Sequence, residues 1–168
     1  MYGSVLVALD GSEQAARAVP HGLAMARQFG VLLILLRVVP PVDDTEAGGS
    51  ISDVAHPEKK PDVLLRREYD SRRSQAEGYL QGLARALRGN GVGIEVRLAE
   101  GAPADVIMET ARSLPHPLIV MTPNGRTAGM IRDGIGRPGS VADAVLRGAS
   151  LPILVVCSDY ERTTSGGR

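Results

Sequence analysis

The sequence predicts an open, parallel, doubly wound α/β domain, and three observations carry that prediction. Short apolar runs alternate with stretches of helical periodicity along the chain. One run, Val31 to Val39, extends over nine residues and is broken only by Arg37, as in a strand buried on both faces of a parallel sheet. The first run ends abruptly in Asp10-Gly11-Ser12, a turn and N-cap signal that leads straight into a helical pattern.

In chain order, Val5 to Leu9 is the first strand. From Glu13 to Phe29 the apolar positions Ala16, Val19, Leu23, Ala26 and Phe29 recur every three or four residues, so a helix is expected there, kinked or shortened by Pro20. The second strand follows at Val31 to Val39. Residues 40 to 62 hold four prolines, two adjacent glycines and several acids, which reads as a long, mobile surface loop. A helix from about Val63 to Arg88 sets Tyr69, Ala76, Tyr79, Leu80, Leu83 and Leu87 on one face, and Gly89-Asn90-Gly91 stops it. Next come a strand near Val92 to Leu98, a helix over Pro103 to Arg112 and a strand over Leu118 to Met121. A Gly-rich loop, a helix over Val141 to Arg147 and a strand over Ile153 to Cys157 complete the domain, taken as residues 1–158. The tail, 159–168, reads as disordered. Five strands interleaved with four helices give the parallel, doubly wound sheet. No internal repeat is present.

Composition narrows the function classes. A chain of 168 residues suits one domain, which buries roughly 70% of its unfolded surface without needing disulfides or metal. Aromatics are 3%, with no Trp and one Phe, so the core must be aliphatic. A net charge of zero gives no bulk attraction to nucleic acid or to an anionic membrane. Cys157 is the single cysteine. An internal disulfide is therefore excluded, a reducing, cytoplasmic location is the natural reading, and its place in an apolar strand predicts a buried, inert thiol. The N-terminal residues resemble neither a signal peptide nor a membrane span. His21, His56 and His116 are scattered, without the spacing of a metal site. No G-x-S-x-G elbow and no P-loop occur. Gly134 to Gly139 spells G-x-G-x-x-G, but twelve residues separate Met121 from Gly134, and a dinucleotide fingerprint needs its first Gly directly after a strand.

In doubly wound sheets ligands sit beyond the carboxyl ends of the strands, where strand order reverses. Asp10 directly follows the first strand, where its carboxylate could meet such a ligand. The alternative is a plain turn former. The loop from Thr122 to Ser140 has five glycines and feeds a helix N-terminus, a ready anion site of free amides and helix dipole. Asp143 stands at capping-box distance from Ser140. Arg126, Arg132 and Arg137 lie in the same loop against one acid, Asp133. They are expected either to close over phosphates, with an arginine donating to them, or to form a solvated face.

The segments VLVALDGSEQA, LLILLRVVPP, EGAPADVIMETA, LIVMTPNGRTAG and GSVADAVLRGASLPILVV together resemble the universal stress protein family over nearly the whole ordered chain. The resemblance implies a Rossmann-like, adenine nucleotide α-hydrolase-like fold with five strands in the order 3-2-1-4-5, and dimers formed through the last strand. An apolar, uncharged edge strand points the same way. ATP, with Mg²⁺, is the implied ligand. Ala8 and Asp10 would border the adenosine, Val38 and Met121 would pack near the adenine, and Gly125, Gly139, Ser140 and Val141 would hold the phosphates. Arg126 joins them from the loop argument. The family's ATP motif reads G-x2-G-x9-G-[ST]. This chain carries Thr122 where the first Gly belongs, and thirteen residues, Arg126 to Pro138, separate Gly125 from Gly139. Pro117 stands at a position that is often acidic in the family. The longer loop costs only about 0.3 kcal/mol in closure entropy, whereas each lost charge-assisted hydrogen bond would cost roughly 1.5–3 kcal/mol.

Three functions follow as expectations. The first is a nucleotide-binding dimeric stress sensor without enzymatic activity beyond slow ATP hydrolysis. The second is a nucleotide-free dimeric scaffold. The third, an adenylating or ATP-pyrophosphatase enzyme, would need S-G-G-x-D-S after the first strand or an H-I-G-H motif, and neither is there.

Overall fold

The computed structural model describes residues 1–41, 62–123 and 140–157. Its elements run β1 (Ser4–Leu9), α1 (Glu13–Ala16), α2 (Ala18–Phe29), β2 (Leu32–Val39), α3 (Asp62–Ala86), β3 (Ile94–Glu100), α4 (Pro103–Arg112), β4 (Pro117–Met121), α5 (Ser140–Gly148) and β5 (Ile153–Val155). The strands form one sheet in the order β3-β2-β1-β4-β5, and every neighbouring pair is parallel. The chain therefore winds from β1 outward through β2 and β3, then returns to the other side of β1 for β4 and β5. The reversal lies between β1 and β4.

Burial follows from that order. All six residues of central β1 are buried, as are Leu33 to Leu36 of β2 and all of β4. Side chains alternate between two aliphatic layers. Val5, Val7, Leu9, Leu33, Leu35 and Val120 pack with Ala18, Val19 and Ala26 of α2 and Leu80 of α3. Leu6, Ala8, Ile34, Leu36, Ile119 and Met121 pack on the opposite face with Ile107 of α4 and Ala142 and Val145 of α5. The buried hydrophobic residues are Val, Leu, Ile, Ala and Met throughout. Helix α2 lies close on β1 because Gly22 has no side chain: a Cβ there would stand 2.4 Å from Val7 Cγ2.

The helix expected over Glu13 to Phe29 is two helices that meet at Arg17, so the described residues hold five helices and not four. Pro20 gives the reason. It lacks the N–H that would bond the Ala16 carbonyl, and its ring crowds that carbonyl. As the third residue of α2, it sits in a first turn that needs no such N–H. Strand β3 begins at Ile94 instead of Val92, because the turn after α3 extends to Gly93, whose carbonyl accepts from Leu33 N at 2.9 Å. Strand β5 stops at Val155. Its partner β4 ends at Met121, paired with Val155, and one further bond, Val156 N to Met121 O at 2.8 Å, closes the ladder. Cys157 thus lies past the strand and is exposed, which corrects the expectation of a buried thiol.

The two sheet edges differ. On β3, Glu95 and Arg97 form an ion pair on the strand that ends the sheet. The other edge, Ile153-Leu154-Val155, is uncharged and half-buried throughout.

Candidate functional site

The site is built at the carboxyl ends of β1, β2 and β4, where the strand order reverses. Ala8, Val38, Met121 and Val141 come from four different elements. All four belong to the one aliphatic layer under α4 and α5, with Ala8 and Met121 buried and Val38 and Val141 at its margin. Parallel strands set this up: Ala8 pairs with Leu36, two residues before Val38, and Val7 pairs with Val120, one before Met121. Helix α5 starts at Ser140, one residue earlier than expected, and presents Val141 in its first turn. The structure thus sets Val38 and Met121, expected near the adenine, in one layer with Ala8, expected at the adenosine, and Val141, expected at the phosphates.

Asp10 follows β1 directly and is half-buried. Its Oδ1 accepts from the Ser12 amide at 2.9 Å and from the Ser12 hydroxyl at 2.6 Å. Ser12 Oγ in turn accepts from Ala15 N at 3.1 Å and caps α1. One carboxylate oxygen therefore ties the turn, so Asp10 is a turn former whatever else it does. Gly11 between them has φ +85°, a conformation that side chains disfavour. Thr122, at the position of the family motif's first glycine, is buried with 9% exposure.

Of the other expected ligand residues, Gly125, Arg126 and Gly139 lie outside the described residues, as do Arg132, Arg137, residues 42–61 of the expected surface loop and the tail. The expected closure of an arginine over phosphates, with its alternative of a solvated face, falls on those residues too. Ser140 is placed by its backbone only. Asp143 makes an ion pair with Arg147 one turn along α5, at 2.9 Å. Among the described residues no cluster of three or more His, Cys, Asp or Glu side chains suits a metal ion.

Two residues at this end were not singled out as site residues. Arg37, at the carboxyl end of β2, lies 5.3 Å from the centroid of the Tyr79 ring. Burial raises the Tyr79 pKa above 10, with the Arg37 cation pulling it down and the Asp10 anion pushing it up. The phenol is thus near both charges. Its hydroxyl is shielded from water and has no hydrogen-bond partner among the described residues. The available signal was a lone cation in an otherwise apolar strand. At the opposite end of the sheet a broad hollow is lined by Tyr2, Phe29, Arg112, His116 and Leu151, and no expected site residue touches it.

Comparison with known proteins agrees with this architecture. A universal stress protein of Methanocaldococcus jannaschii is 29% identical over 158 residues, covering 93% of this chain and 82% of the relative. A universal stress protein solved in complex with cAMP superposes with a TM-score of 0.61 at 24% identity, covering 92% of this chain and 97% of its own. A universal stress protein family member of Arabidopsis thaliana, solved with AMP bound, gives a TM-score of 0.58 at 20% identity, with coverages of 98% and 97%. Residues 1–156 match the universal stress protein family, and the chain belongs to that family.

Proposed function

We propose that this chain binds an adenine nucleotide, ATP with its Mg²⁺, beyond the carboxyl ends of β1 and β4, and acts as a dimeric sensor or binding module in stress response and not as an enzyme. The observation that carries this reading is the convergence of Ala8, Val38, Met121 and Val141 in one apolar layer, beside the Asp10 turn and at the reversal of strand order. An apolar wall suits an adenine ring. A carboxylate at its rim suits the ribose hydroxyls, and the start of α5 suits phosphates through its amides and dipole. Relatives solved with AMP and cAMP support the ligand class. The described residues hold no carboxylate cluster for Mg²⁺, so in this reading the phosphates carry the ion. Gly125, Arg126, Gly139, Ser140 and Val141 would supply the phosphate contacts. The functional unit would be residues 1–158, in the cytoplasm. Among the described residues no helix is long and apolar enough to cross a membrane.

Thr122 favours a second reading. A buried side chain where the family's ATP motif has glycine removes close backbone approach at that point, and a scaffold without nucleotide would tolerate it. Mass spectrometry of the purified protein, with calorimetric titration of ATP, separates the two. Co-purified adenine nucleotide, or micromolar binding, is expected. No nucleotide and no saturation at millimolar ATP would leave the scaffold.

The dimer is proposed through β5. Its apolar edge contrasts with the charged pair on β3, and an unpaired apolar edge is a template for another strand. Val155→Lys is expected to convert a dimer to a monomer in light scattering, with the circular dichroism unchanged. A wild-type monomer at high micromolar concentration would dispose of the idea.

A further inference from the structure

On the face of the sheet opposite the Ala8–Val38–Met121 layer, side chains from β2 and α3 meet the turn after β1. Arg37 is in register with Leu9, the last residue of β1. Its guanidinium lies near the Tyr79 ring and also against the turn: a Cβ built on Gly11 would stand 2.8 Å from Arg37 Cζ. Gly11 is favoured by its positive φ, and the guanidinium lies directly over it. The Ser12 bonds hold the turn from within, through Asp10 Oδ1. Arg37 packs on it from outside. A planar guanidinium can stack on an aromatic ring and lie flat along a backbone, which an ammonium cannot do.

We propose that Arg37, braced on Tyr79, is a positioning residue that sets the Asp10–Gly11–Ser12 turn, and through it the Asp10 carboxylate, for a nucleotide bound beyond β1. The proposal rests on the adenine-nucleotide reading of the site. It assigns the Tyr79 ring, and not its hydroxyl, as the working part of that side chain, because the hydroxyl has no hydrogen-bond partner among the described residues.

The test uses the full-length chain and two measurements: backbone amide signals of Gly11 and Ser12 by nuclear magnetic resonance without nucleotide, and ATP affinity by calorimetry. Arg37→Met and Tyr79→Leu are expected to move both amide signals and to weaken ATP roughly tenfold, the loss of about one charge-assisted hydrogen bond. Arg37→Lys keeps the charge but not the plane and is expected to follow Arg37→Met. Tyr79→Phe keeps the ring and is expected to match the wild type in both measurements, a rescue that a role for the hydroxyl would not give. If Arg37→Met weakens ATP while the Gly11 and Ser12 signals stay in place, Arg37 touches the ligand directly and the positioning role is wrong. Unmoved signals in Arg37→Met overturn it whether or not ATP binds. A wild-type chain that binds no ATP overturns instead the nucleotide reading beneath it.

Discussion

Asp10→Asn is expected to weaken ATP binding by roughly ten- to hundredfold, the worth of a hydrogen bond to a charged group, while the melting temperature stays within a degree or two of wild type. The asparagine carbonyl can accept the same two bonds from Ser12 that Asp10 Oδ1 accepts now, so the turn and the α1 cap survive. What disappears is the negative charge beside the apolar wall. Asp10→Ala removes the turn bonds as well and is expected to lower both affinity and stability. The pair of variants separates the two roles of one carboxylate. Equal affinity in Asp10→Asn and wild type, with loss only in Asp10→Ala, would reduce Asp10 to a turn former.

The largest stability effect is expected at Gly22. An alanine in a helix interior normally gains about 1 kcal/mol over glycine, and a surface helix would welcome the change. Here the new methyl would stand 2.4 Å from Val7 Cγ2. Val7 is fully buried in the central strand, packed within the core. Overpacking of this kind costs roughly 1–3 kcal/mol, so the clash outweighs the propensity. Gly22→Ala should therefore lower the melting temperature by several degrees, at about 2–4 °C per kcal/mol for a chain of this size. Gly82→Ala on α3 is the internal control: its Cβ would meet nothing within 4 Å, and there the propensity gain should appear as a rise. Combining Gly22→Ala with Val7→Ala should recover part of the loss. A melting temperature unchanged or raised by Gly22→Ala alone would mean that α2 shifts freely on the sheet.

Much of this was legible in the sequence, for a reason that lies in the parallel sheet itself. Central strands buried on both faces read as unbroken apolar runs, so β1, β2 and β4 were recognisable from Val5-Leu6-Val7, Leu33 to Leu36 and Leu118 to Met121. The strand order came from the family resemblance and matches. Element ends were harder, because a strand ends where its partner ends: nothing in Val155-Val156-Cys157 tells that β4 has stopped at Met121. Pro20 announced a disturbance in the first helix but not its place, since the carbonyl it leaves unbonded belongs to Ala16, four residues earlier. The positions proposed for the apolar half of the site came from the resemblance, and the fold sets Ala8, Val38 and Met121 in one layer. The link between Arg37, Tyr79 and Gly11 was not. Arg37 stood out only as a break in an apolar run, and Tyr79 only as one position on a helical face. Their meeting depends on α3 packing across β2, a contact between distant parts of the chain that local patterns do not encode. The turn bonds of Asp10 were posed only as one of two alternatives, and Oδ1 accepts from both the amide and the hydroxyl of Ser12.

The unequal edges of the sheet also bear on how large an assembly can grow. If β5 pairs with β5 of a second copy, the contact is isologous and uses the same three residues on both sides. The result is one continuous sheet of two domains whose outer margins are both β3, each carrying the Glu95–Arg97 ion pair. A third copy would meet desolvation of that pair instead of an apolar strand. In that arrangement growth would stop at two, because neither outer margin would offer an apolar edge to another copy.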